Sequence, residues 1–74
     1  MNIKDDTRRM QEFVTQKLQK WHSVYELTTF YYGKFDINTY SRIRNYVRTL
    51  LQHEKLMMQE VSGKHTKVKQ YKIK

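Results

Sequence analysis

The chain has 74 residues with two glycines, no proline and no cysteine, and it carries a net charge of +8. A chain this short makes one small domain with a single modest core, and it leaves little room for a catalytic cleft. Without Cys there is no disulfide framework, no thiolate nucleophile and no thiolate zinc site.

No apolar run approaches the length of a membrane span. The start, Met1-Asn2-Ile3-Lys4-Asp5-Asp6, lacks the apolar run of a signal peptide. These features predict a cytoplasmic protein with no membrane partner. The positive charge is also directional. From Asn38 to Lys74 there are nine Lys and Arg against two acids, whereas from Met1 to Ile37 there are six against five. A polyanion is the natural partner of such a face, because each neutralised phosphate releases condensed counterions.

The first predicted helix covers residues 5–21. Asp5 or Asp6 can cap it, and Met10, Phe13, Val14, Leu18 and Trp21 recur at spacings of three and four on one stripe. Ser23-Val24-Tyr25-Glu26 then forms a Ser-x-x-Glu capping box, which opens a second helix over 23–32. Val24, Leu27 and either Phe30 or Tyr31 face the core, and Gly33 ends the helix by accepting a left-handed conformation. A third helix covers 38–55, capped by Asp36 or Asn38. Tyr40, Ile43, Val47, Leu50, Leu51 and Glu54 share one side, while Ser41, Arg42, Arg44, Asn45, Arg48, Thr49 and Gln52 share the other. From Leu56 the period changes to that of a hairpin over 56–73, with Ser62 to Thr66 as its turn. Val68 and Tyr71 are an odd number of residues apart, so a regular strand cannot place both on one face. The expectation is a bulge near Gln70, or last residues that leave the sheet.

Helix, helix, turn, longer helix and two-stranded hairpin, with Asn38-Thr39-Tyr40-Ser41-Arg42-Ile43 opening the third helix, resembles the winged helix-turn-helix family. The run Val47, Leu50, Leu51, Glu54-Lys55-Leu56 looks like that family's approach to its first wing strand. The resemblance covers roughly Trp21 to Ile73. Two departures stand out: an aromatic turn from Tyr31 to Asp36, and Glu54 or Lys55 where the family commonly has Gly. The implied fold is α+β, a three-helix winged helix-turn-helix with a C-terminal two-stranded wing. The implied action is that the third helix enters the DNA major groove while the wing reaches the backbone. By resemblance Thr39, Ser41 and Arg42 match contact positions. From the residues themselves, Arg44, Asn45 and Arg48 are the candidates for base edges, since Arg can pair with guanine and Asn with adenine through two hydrogen bonds. Lys64, His65, Lys67 and Lys69 are the wing's candidate contacts, with Lys72 and Lys74 joining them if the tail is ordered.

Competing readings bear on the other residues. Six Tyr, three Phe and one Trp invite base stacking, but a small domain also needs large side chains for its core. Core positions are expected for Phe13, Trp21, Phe30 and Tyr40. Tyr25, Tyr31, Tyr32 and Tyr46 are candidates for a homodimer interface. His22, His53 and His65 follow no metal-ligand spacing, and no catalytic motif is visible, so no metal, cofactor or enzymatic activity is expected. The sequence therefore predicts a sequence-specific binder of double-stranded DNA that regulates transcription, of a size suited to a viral, plasmid or prokaryotic regulator. The alternative is a winged-helix interaction module, a phage-type inhibitor or assembly factor, that meets an acidic protein.

Overall fold

A computed structural model describes residues 3–63 and 66–74, with the backbone alone at 3–5. Three helices, α1 (Ile3–Lys17), α2 (Val24–Tyr32) and α3 (Ile37–Gln52), precede an antiparallel pair of strands, β1 (Leu56–Ser62) and β2 (Lys67–Ile73). The core joins Met10 and Val14 of α1 and Leu18 just beyond it to Val24 and Leu27 of α2, Ile43 and Val47 of α3, and Leu56 of β1. Each such buried aliphatic side chain contributes about 1.5–3 kcal/mol.

The spacing of four between Met10, Val14 and Leu18 gives α1 its inward stripe. Both expected ends of this helix need correction. It already runs from Ile3, so Asp5 and Asp6 lie within it, and the Asp6 carboxylate accepts a hydrogen bond from Arg42 at 2.9 Å. It stops at Lys17 rather than at Trp21. The reason is a backbone demand from elsewhere in the chain. The His22 N–H donates to the Tyr71 carbonyl at 3.1 Å, and the Tyr71 N–H donates to the His22 carbonyl at 2.8 Å. A helix through residue 22 would commit the His22 N–H to the Leu18 carbonyl, which instead accepts from the Ile73 N–H. Trp21 is half-buried and stands outside the core.

The capping box of α2 forms as the sequence indicates. Ser23 Oγ accepts from the Glu26 N–H, and the Ser23 N–H donates to Glu26 Oε1, both at 3.1 Å. Gly33 ends the helix at φ +88°, with its N–H donating to the Thr29 carbonyl at 2.8 Å. Tyr31, not Phe30, packs on the core, because it lies four residues beyond Leu27. Phe30, expected inside, is 51% exposed and meets His22 edge-on.

Asp36 caps α3, accepting from the Thr39 N–H at 2.8 Å and from Thr39 Oγ1 at 2.9 Å. The helix ends at Gln52, so Glu54 is not on its inner face as its position at helical spacing implied. Glu54 is exposed at φ +57°. Its N–H donates to the Leu51 carbonyl at 3.0 Å, and the Lys55 N–H donates to the Leu50 carbonyl at 2.9 Å. This is a Schellman stop with Glu in the left-handed position that Gly favours. It turns the chain sharply into β1.

The strands pair without interruption from Leu56 opposite Ile73 to Ser62 opposite Lys67. There is no bulge near Gln70, and the final residues stay in the sheet. Val68 and Tyr71 instead face opposite sides. Tyr71 and Ile73 turn inward onto the core, while Val68 pairs with Val61 on the outer face, where both remain exposed. The sheet's base is fastened to the helices by the His22–Tyr71 bridge and by the Ile73 N–H, which donates to the Leu18 carbonyl at 2.9 Å.

Candidate nucleic-acid interface

The alternation of β2 puts Lys67, Lys69 and Tyr71 on the sheet face that looks toward the helices. On α3, Ser41, Arg44 and Arg48 stand three and four residues apart and therefore share a face. The two rows meet across a cleft of about 510 Å³ between α3 and the sheet. Arg44 and Arg48 line one wall, and Lys67 and Lys69 line the other. Leu51, Val47 and Met58 contribute apolar floor, and Tyr25, Tyr40 and Tyr71 border it. No carboxylate belongs to the lining among the described residues. Glu60 lies opposite Lys69 on the same face of the sheet.

Four cations around one cleft form a field that attracts a polyanion, and none of the four is neutralised by an ion pair among the described residues. Burial pushes the Tyr71 phenol above its ordinary value of 10.0, and Tyr40 adds to this. The charges of Arg44 and Arg48 pull only partly back. The phenol therefore stays protonated at neutral pH and is a standing hydrogen-bond donor.

The other predicted contacts divide. Ser41 is exposed on α3. Arg42 and Asn45 do not line the cleft but border a separate depression beside Thr7 and Gln11 of α1, and Arg42 is tied to Asp6 at 2.9 Å. Thr39 needs correction as a contact: it is buried, and its N–H and hydroxyl are both spent on Asp36. Lys64 and His65 lie outside the described residues. Lys72 faces away from Lys67 and Lys69, opposite Met57 on the outer side of the sheet. Lys74 lies near Tyr46 and Leu50, away from the cleft.

Tyr25, Tyr40 and Tyr71 were not among the predicted site residues. Tyr71 carried a legible signal, since a regular β2 puts it on the face of Lys67 and Lys69. Tyr25 carried none, because only the packing of α2 against α3 brings it to the cleft. Phe35 stacks on Tyr25 with centroids 5.2 Å apart and planes 18° from parallel, and it touches Tyr40 at 5.6 Å. The result is an aromatic row along one end of the cationic cleft.

Among the described residues, no three His, Asp or Glu side chains come together to hold a metal ion, and no helix is long and apolar enough to cross a membrane. Comparison of the chain with protein-family models, with curated proteins and with solved structures found no match.

Proposed function

We propose that this chain is a winged helix that binds double-stranded DNA and acts as a transcriptional regulator by occupying a short site. The observation that carries this reading is the cleft in which Arg44 and Arg48 of α3 face Lys67 and Lys69 of β2 with no carboxylate in the lining. A strand's phosphate backbone seats between helix and wing, which sets α3 against the major groove. There the exposed polar row of α3 (Ser41, Asn45 and Arg48) is the part free to reach base edges. Arg44, on the cleft wall, serves phosphate. The three-helix order, the hairpin and the bridge from residue 22 to the second strand all support the winged-helix assignment. A pair of copies on a symmetric site would double these contacts.

The test is fluorescence anisotropy with a labelled random duplex across a salt series, followed by selection of a preferred site. Micromolar duplex binding that weakens steeply with salt is expected. On the selected site, Asn45→Ala or Arg48→Ala should lower the specific-to-random ratio by a factor corresponding to about 1–3 kcal/mol. Absence of duplex binding at low salt would remove the reading and leave an acidic protein as the partner of the cleft.

A further inference from the structure

The cationic cleft ends in aromatic rings that a paired duplex cannot use. Tyr25 is 57% exposed and Phe35 is 42% exposed, although the two are stacked on each other. One face of the Tyr25 ring is covered by Phe35, so its exposure comes from the remaining face and edge. Tyr25 borders the same cleft as Arg44, Arg48, Lys67 and Lys69. Cationic side chains and an open ring therefore border one cleft.

Within a duplex each base already stacks on its neighbours and offers no free face. An unpaired base does offer one, and aromatic side chains hold such bases largely without regard to sequence. We infer that the cleft accepts an unpaired DNA nucleotide beside a duplex, its base stacking on the Tyr25–Phe35 pair and its phosphates held by the cleft cations. This rests on the duplex-binding reading and narrows it: the favoured substrate is a duplex next to a single-stranded segment. Arg44, which serves phosphate in that reading, lines the same cleft as Tyr25 and Tyr40, and Tyr40 meets Phe35 with centroids 5.6 Å apart.

Phe30 provides an internal control. It is 51% exposed on the same helix as Tyr25, but it sits with His22 and Lys17 and does not line the cleft.

The experiment measures binding of the full chain to three labelled DNAs: a blunt duplex, the same duplex with a short thymine tail, and the same duplex with an abasic tail of equal length. The two tails carry the same phosphates and differ only in bases. The thymine-tailed duplex is expected to bind on the order of tenfold tighter than the abasic-tailed one. Tyr25→Leu and Phe35→Leu should each erase that preference, and Phe30→Leu should keep it. Equal affinity for the two tails would overturn the inference while leaving duplex binding intact. So would a Tyr25→Leu protein that retains the preference, or one that changes only the oligomeric state, which would make the ring a contact between copies. Failure to bind any of the three DNAs would overturn the duplex reading itself.

Discussion

Lys67 and Lys69 share one face of β2, and Lys72 lies on the other. This parity allows charge to be removed from the cleft, or from the same strand's opposite side, with almost the same chemistry. If each cleft cation neutralises one phosphate, the slope of log K against log salt carries a contribution of about −0.9 per contact on B-form DNA. Changing Lys67 and Lys69 together to Gln should then flatten the slope by about 1.8, whatever the sequence of the duplex. At about 0.1 M salt that corresponds to roughly sixty-fold weaker binding, shrinking toward nothing near 1 M. Lys72→Gln should leave the slope nearly unchanged. Anisotropy titrations of the three proteins over a salt series give all of these numbers. A double variant with the wild-type slope would refute the cleft as the phosphate seat. Equal per-charge losses for Lys72 and the cleft pair would reduce the attraction to overall charge.

Other expectations concern the frame that holds the cleft. Ser23→Ala removes one half of the capping box and should cost about 1 kcal/mol, lowering the thermal midpoint by about 4–8 °C in circular dichroism. Glu54→Gly should stabilise the fold by about 1 kcal/mol in urea titrations, since the left-handed backbone there penalises a Cβ. An unchanged midpoint would mean that the Glu54 side chain makes an offsetting contribution. Burial tends to raise the Glu26 carboxyl, but the Ser23 N–H and the neighbouring His22 outweigh it and hold the group below its ordinary 4.5. A lowered folded value means that this contribution to stability is present above 4.5 and is lost as the pH falls through the lower folded value. Glu26→Gln should therefore flatten the acid limb of a plot of urea midpoint against pH, and an acid limb as steep as wild type would argue against the carboxylate's part in the box.

Local signals were the legible ones. Ser23, Glu26 and Gly33 act through neighbours three or four residues away, so their spacing alone announces the second helix. The hairpin's two strands were legible for the same reason: their bounds are set by Ser62-Gly63 and by the β-type residues on either side. What escaped reading was set by distant backbone. The stripe Leu18 to Trp21 continues a helical period, but Tyr71 claims the peptide groups of residue 22 and the helix gives way. Val68 and Tyr71 conflict with a regular strand only if both must share a face, and in the sheet they do not. Glu54 kept the helical spacing of an inner residue, while the reversal into β1 required a left-handed turn there. At the site, the charges of Arg44, Arg48, Lys67 and Lys69 were visible in the sequence. The ring of Tyr25 was not, because its position depends on how α2 rests against α3.

The fastening of β2 to residues 18 and 22 also governs the order in which this chain can fold. Closing a loop of roughly fifty residues costs chain entropy that local helical contacts do not repay. The Leu18 carbonyl and both peptide groups of His22 find these partners only when Tyr71 and Ile73 arrive. The His22 N–H therefore stays open to exchange with solvent until the last strand docks. Contacts of such long sequence separation slow folding, so the segment that closes the cleft also sets the pace at which the fold is completed.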